Sequence, residues 1–417
     1  MYSNNTSSTK STKSFGSGKK KKKQYGNKSN SFRNKSSNRP QQRGGGFKKS
    51  TLDPNLLVRK ATEEVIVEYE SKRTIKDLPI DINLIECLVA KGFSKPTQIQ
   101  DQTLEYLLDG HDVLGIAQTG SGKTAAFLVP IIQELLQNPQ KSYALVVVPT
   151  RELASQIQDE FISMSKGLNL YSECFIGGTN INTDIKKLRR SQHIIIGTPG
   201  RLLDLIGKKL IDLRKFNTLV LDEFDRMLDM GFIHDMKKII GGMENRKHSL
   251  LFSATLDKTQ QSLIDNILSD YKTVKCSNGE TTCDHIDQDI IHVGGGDKFK
   301  MLCDMLYEKE EFSKVLVFEE TKHKVKRLCQ KLEKIDITAD QIHGNKSQNA
   351  RQNALNKFKK GKIQVLVATD VAARGIDVSD VTHVINYQIP LTMDSYIHRI
   401  GRTGRAGKRG KAFTFVD

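Results

Sequence analysis

Apolar positions along the chain fall into two rhythms. From Leu78 they recur at helical spacing, at Leu84, Ile85, Leu88 and Val89, and stop at Gly92-Phe93. Pro96-Thr97-Gln98-Ile99-Gln100 opens a second helical stretch that runs to Asp109-Gly110. Short continuous apolar runs then alternate with helical ones, predicting strands near 112–117, 143–149, 171–177, 193–198, 218–223 and 249–254. Ala144 to Val148 and Leu219 to Leu221 lack the polar alternation of a half-exposed strand. Such runs, separated by helices, predict a parallel sheet covered on both faces.

After Leu268 the text turns polar through Cys276 to Thr282, which predicts an interdomain linker at 276–288. A second alternating series follows, with strands expected near 289–293, 315–319, 338–342, 364–369, 382–387 and 412–416. The pattern gives two α/β domains of similar rhythm, 75–275 and 289–417, preceded by a flank at 51–74.

Composition separates residues 1–50 from this series. They are Ser, Asn, Lys and Gly with almost nothing to bury, and are expected to be a disordered basic tail. Of the formal net charge of +17, 14 units lie in this tail, which leaves +3 for the other residues. Lys19 to Lys23 and Arg43-Gly44-Gly45-Gly46-Phe47 read equally as a sequence-blind nucleic-acid arm, a nuclear import signal or a solubilising tail. The six cysteines, Cys87, Cys174, Cys276, Cys283, Cys303 and Cys329, form no Cys-x-x-Cys pair, so buried thiols in a reducing compartment are expected, with no disulfide frame or zinc site. No apolar run approaches the ~18 residues of a membrane span, and the N-terminus lacks the apolar core of a secretory signal. The expectation is an intracellular protein, in cytoplasm or nucleus, without membrane contact.

The candidate chemistry starts at Ala117-Gln118-Thr119-Gly120-Ser121-Gly122-Lys123-Thr124, between an expected strand and the helix-like Ala125 to Leu136. Strand, glycine loop and Gly-Lys-Thr opening a helix is the context of a phosphate-cradling loop. Backbone N–H groups would face the phosphates at a helix N-terminus. Lys123 would add a point charge for the β- and γ-phosphates, and the Thr124 hydroxyl would reach Mg²⁺. Leu219-Val220-Leu221 runs into Asp222-Glu223-Phe224-Asp225. There Asp222 would hold Mg²⁺ and Glu223 would polarise the attacking water of a nucleoside triphosphatase. The Gln100 carboxamide both donates and accepts, which suits the N6/N7 edge of adenine; alone, it reads as a surface Gln at a helix start.

Pro149-Thr150-Arg151-Glu152-Leu153 and Thr198-Pro199-Gly200-Arg201 repeat one design, in which a strand ends, the chain turns and a helix begins. Hydroxyl, N–H groups and Arg then face a phosphate. Gly177-Gly178 admits a backbone close to a ligand. His343-Gly344, Gln348, Arg351, Thr369 and Arg374 occupy comparable places in the second domain. Singly each reads as a cap or a surface charge; together they resemble a track for a polyanion. His398-Arg399-Ile400-Gly401-Arg402-Thr403-Gly404-Arg405 is the densest cationic cluster in the folded part. If the domains face each other, Arg402 and Arg405 would reach the γ-phosphate as arginine fingers.

These motifs, in this order, resemble the DEAD-box RNA helicases of superfamily 2, over about four-fifths of the chain from Ile75 to Val416. The resemblance implies two tandem RecA-like α/β domains, ATP and Mg²⁺ as cofactors, RNA as partner, a monomer, and protein partners within a ribonucleoprotein. Residues 73–101, with Gly92-Phe93 through Gln100, resemble the adenine-sensing Q motif, and Ala117 fits the family's own form of the phosphate loop. Pro149–Leu153, Gly177-Gly178 and Thr198–Arg201 resemble RNA-backbone motifs. Ser253-Ala254-Thr255 resembles the segment that couples hydrolysis to strand separation, and Asp225 and His398 take coupling roles by the same resemblance. Val315 to Phe318 and Ala368 to Asp377 resemble second-domain motifs, with Asp377 on the ribose.

The chain departs from the family pattern at Phe224, where Ala is usual, at Ile75, where an aromatic is usual, and at Gln388, where Asp is usual. Relatives usually add a closing helix beyond the position of Asp417, so either a trimmed second domain or a piece of a longer chain is expected. The implied activity is RNA-stimulated ATP hydrolysis coupled to local duplex unwinding or ribonucleoprotein remodelling. A bulky ring beside the carboxylates and the missing helix suggest an alternative, an ATP-gated RNA clamp that unwinds weakly.

Overall fold

A computed structural model describes residues 52–61, 69–117, 120–139, 143–256, 258–276, 285–373, 380–404 and 409–417. The basic tail, Gln118, Thr119, Cys283, Arg374, Asp377 and Arg405 lie outside the described residues. Two sheets organise the rest. The first is built from β1 (Val113–Ile116), β2 (Ala144–Val147), β3 (Ser172–Phe175), β4 (Ile194–Gly197), β5 (Thr218–Leu221), β6 (His248–Ser253) and β7 (Lys272–Lys275). The second is built from β8 (Ile286–His292), β9 (Val315–Phe318), β10 (Ala339–Ile342), β11 (Val365–Ala368), β12 (His383–Asn386) and β13 (Gly410–Val416). Their strand orders are β3-β4-β2-β5-β6-β1-β7 and β10-β11-β9-β12-β13-β8. Neighbouring strands within each sheet run parallel.

The apolar runs explain this architecture. Alternate residues of one strand enter separate cores on the two faces of the sheet. Val146 and Val220 belong to one core of the first lobe, Leu145 and Leu219 to the other. Leu366 and Val384 likewise oppose Val365 and Ile385 in the second lobe. Helices cover both faces, as a sheet without a polar side requires.

Two edges differ from the sequence expectation. Lys272–Lys275 forms the edge strand β7, which the polar text concealed because only Val274 is buried. β8 begins at Ile286, inside the stretch read as linker, and Gln288 is buried there at 4% exposure.

One buried histidine sets an acid limit on the second lobe. His383 of β12 stacks on Phe312 and Phe413, with ring centroids 4.0 and 5.9 Å apart. Burial pushes its pKa down to about 4, against a small upward pull from the Glu311 carboxylate and a further downward push from Lys411. The unfolded chain takes up this proton near pH 6.5, and the folded lobe resists it until about pH 4. Stability from the neutral ring is complete above pH 6.5 and falls away as pH drops toward 4, by on the order of 3 kcal/mol. In His383→Gln, the slope of second-lobe Tm against pH between 6.5 and 4 is expected to flatten; an unchanged slope would show that His383 does not carry it.

Candidate nucleotide and nucleic-acid site

Ligands of parallel α/β sheets gather beyond the carboxyl ends of the strands. Here β5, β6 and β1 are neighbours, so Asp222, Ser253 and the phosphate loop leave adjacent strands. Ala117 is buried at 1% exposure and its N–H donates to the Ser253 carbonyl at 3.0 Å, which admits a small side chain at this point. Gly120 and Gly122 take φ of +95° and +94°, a left-handed turn open to glycine. A Cβ at Gly122 would also overlap the Gln100 amide. Lys123 opens the helix Lys123–Gln137, and its Nζ donates back to the Ala117 carbonyl at 2.7 Å.

The Q-motif residues support the loop from behind. Thr97 Oγ1 donates to the Ser121 carbonyl at 3.0 Å, and Gln100 Nε2 donates to the Gly122 carbonyl at 3.2 Å. Gln100 Oε1 accepts from the Thr97 amide at 3.0 Å. The carboxamide, expected either at adenine or as a surface group at a helix start, thus bonds the polypeptide at both of its ends. Ile75, Phe93, Pro96 and Gln100 nevertheless line a small pocket against Ala125 and Val129 of the loop helix.

The acidic signature follows β5. Asp222 is 3% exposed, and its Oδ1 accepts from the Glu223 amide at 2.9 Å. Burial pushes its pKa up to about 6; Lys123 pulls it back, and Glu223 and Asp225 add to the rise. Glu223 adopts the left-handed region, with φ 54°, and accepts from Arg226 Nη1 at 2.7 Å. Burial alone would raise its pKa, but Arg226, Arg402 and Lys123 outweigh burial and hold the carboxylate below its ordinary range. Arg226 escaped the sequence reading, although its i+3 spacing from Glu223 on a helix start was visible.

The Phe224 ring does not crowd the carboxylates. It is fully buried and packs in the apolar core with Leu221 and Met227. Asp225 joins the signature to β6. Its Oδ2 accepts from the Ala254 and Thr255 amides and from the Thr255 hydroxyl, each at 3.2 Å, while Ser253 Oγ donates to the Thr255 carbonyl at 2.6 Å.

A second row of candidates leaves β2, β3 and β4, also neighbours in the sheet. Thr150 caps the helix Arg151–Met164 through a 3.3 Å bond from the Leu153 amide. Gly178, with φ +80°, lets the Arg151 guanidinium lie against the backbone, where a Cβ would overlap it. Thr198 is buried ahead of the helix Pro199–Gly207. Arg201 is committed within the lobe, to Asp184 and to the Thr179 carbonyl at 2.8 Å.

In the second lobe, Gly344 and Thr369 follow the neighbouring strands β10 and β11. Gln348 and Arg351 instead reach the first lobe. Gln348 Nε2 donates to Glu152 Oε1 at 3.1 Å and Arg351 Nη2 to Glu152 Oε2 at 2.9 Å. Glu152, quoted in the sequence but given no role there, is thus a buried junction between lobes. Arg402 is 5% exposed, its Nε donates to the His398 carbonyl at 3.2 Å, and its charge acts on Glu223 of the opposite lobe.

Among the described residues no group of three or more His, Cys, Asp or Glu side chains could hold a metal alone, and no helix is long and apolar enough to cross a membrane. A glycine cradle, an internally bonded lysine and a buried carboxylate short of positive charge nevertheless fit a magnesium–triphosphate pair, whose phosphates supply the remaining ligands.

Fold and site together define a P-loop nucleotide-binding protein with two RecA-like lobes. The DEAD/DEAH box helicase family model matches residues 97–263, and the helicase conserved C-terminal domain matches 297–407. The chain belongs to the DEAD/DEAH box helicase family. It is 41% identical to the DEAD-box ATP-dependent RNA helicase CshA of Bacillus subtilis, over 82% of this chain and 69% of that one. It is 40% identical to CshA of Bacillus cereus, over 82% of this chain, but spans only 65% of that relative's length. Among solved structures it is similar to S. cerevisiae Dbp5 bound to RNA and ADP BeF3, with TM-score 0.74, 31% identity and coverage of 82% of this chain and 89% of that one. It is also similar to Mss116p bound to ssRNA and AMP-PNP, with TM-score 0.76, 32% identity and coverage of 84% and 76%.

Proposed function

We propose that this protein is an ATP-dependent RNA helicase, which couples ATP hydrolysis to local unwinding of RNA or remodelling of its complexes. The observation that carries the reading is the direct contact between lobes, where Gln348 and Arg351 of the second bond Glu152 of the first, with the Arg402 charge felt at Glu223 beyond Asp222. Lys123 and the loop amides would receive the ATP phosphates. Asp222 and Thr124 would hold Mg²⁺, which supplies Lewis-acid neutralisation of phosphate charge. Glu223, kept ionised by its cationic neighbours, would take the proton of the attacking water. Arg402, with Arg405, would neutralise charge that develops on the γ-phosphate.

Thr150, Arg151, Gly177, Gly178 and Thr198 would grip an RNA backbone along one side of the first lobe, reading shape and 2′-hydroxyls instead of bases. Arg374, Gly344 and Thr369 would continue that grip on the second. Gln348 and Arg351 would act on the track through Glu152, next to Arg151. Loss of the γ-phosphate removes the tie to the second-lobe arginines, so the lobes part and RNA leaves. Ser253, Thr255 and Asp225 link the carboxylates to β6 and would carry that change, with His398 beside Arg402. The CshA relatives and the RNA-bound solved neighbours support the RNA-helicase reading; for this chain we further take a monomer that works among other proteins.

The test is ATP hydrolysis with and without RNA. Turnover is expected to rise severalfold or more on addition of RNA; full-rate hydrolysis without RNA would refute the coupling.

A further inference from the structure

The flank before the first lobe touches both lobes. Its first part docks on the second. Leu57 closes the turn Pro54–Leu57 and is fully buried, in the same apolar core as Ile286 and Tyr396. Arg59 and Gln288 exchange backbone hydrogen bonds of 3.0 and 2.7 Å, an antiparallel bridge on the edge strand β8. The Ala61 amide donates to Asp287 Oδ1 at 3.0 Å, and the Tyr396 hydroxyl lies 3.2 Å from the Leu57 carbonyl.

Its last part docks on the first lobe. The Tyr69 and Ser71 hydroxyls each donate to Asp101 Oδ2 at 2.8 Å, and Arg73 Nε donates to Asp101 Oδ1 at 2.6 Å. Arg73 also pairs with Glu105. Asp101 is buried and sits beside Gln100 on the helix Gln98–Leu108. An edge strand presents unpaired backbone groups, and β8 uses some of them to receive this segment.

We propose that the edge of the second lobe at β8 is a docking site for the chain's own residues 52–61, and that the flank is a strap between lobes. Eight residue steps separate Ala61 from Tyr69, so the two docks stay within about 28 Å of each other while both are engaged. The lobes are then joined twice, by the strap and by the chain that leads from Cys276 to Ile286, which shares a core with Leu57. A second tether restricts splaying and raises the local concentration of one lobe near the other before any ligand arrives.

The proposal is separable from the helicase reading, because it concerns the ligand-free protein. Single-molecule energy transfer between dyes on the two lobes of the full chain reads it directly. The two variants are Leu57→Asp, which undocks the strap, and an insertion of twenty Gly and Ser residues after Ala61, which lengthens it and leaves both docks intact. Both variants are expected to broaden the ligand-free distance distribution toward longer separations, and the insertion is expected to do so with the Tm of each lobe unchanged. The RNA concentration for half-maximal ATP-dependent binding is expected to rise about threefold to tenfold. Unchanged distributions in both variants would overturn the proposal. A change in Leu57→Asp alone would overturn it too, since Leu57 would then be a core residue of the second lobe and not the anchor of a tether.

Discussion

Replacing Arg402 by alanine is expected to lower kcat for RNA-stimulated ATP hydrolysis by about 10³-fold or more, the range of an arginine that neutralises charge on a transferring phosphoryl group. Nucleotide affinity of the first lobe should change far less, because the phosphate loop, Lys123 and the pocket around Phe93 lie wholly within that lobe. A second effect has a definite sign. Arg402 is one of three cations that hold Glu223 ionised. Its removal raises the Glu223 pKa, so the acid limb of the residual kcat profile moves to higher pH. Arg402→Lys keeps the charge without the planar fork and should fall between. An unaltered kcat in Arg402→Ala would mean that the second lobe contributes no arginine to the reaction.

Glu223→Gln is expected to lose turnover by about 10²- to 10⁴-fold while ATP and RNA still bind, the loss typical of a missing general base. The amide oxygen of Gln can still accept from Arg226, so the local fold should survive. Binding is therefore measured alongside turnover, by RNA retention in the presence of ATP. The variant should hold RNA longer than the native protein, since the γ-phosphate is no longer removed. Normal hydrolysis in Glu223→Gln would exclude Glu223 as the base.

Much of this arrangement was legible in the chain because buried parallel strands leave a strong signature. Runs such as Ala144 to Val148 predict both the sheet and the places where strands end, and the polar residues at those ends then fall on one side. Edges were harder to read. In β7 only Val274 is buried, and in β8 Asp287, Gln288 and Asp289 interrupt the apolar text. Gln288 is buried because β13, Tyr396 and the strap cover it, none of which a local window can see. Glu152 was hidden for a related reason. Its partners, Gln348 and Arg351, lie almost two hundred residues away and on the other lobe. The same distance concealed the contact that Gln348 and Arg351 make with Glu152; their places after the second-domain strands pointed only to a polyanion track. Phe224 misled in the opposite direction. A residue between carboxylates suggests a neighbour of the active site, but the helix that starts there turns its ring into the core.

The position of β1 has a consequence for biosynthesis. The strand that launches the phosphate loop lies between β6 and β7, which are the last two strands of its sheet in chain order. A ribosome must add roughly 160 further residues before both neighbours exist, a delay of about ten to thirty seconds at ordinary elongation speeds. A nascent chain therefore cannot capture nucleotide early, and polypeptides that end before Lys275 leave an apolar strand with a bare flank, open to aggregation.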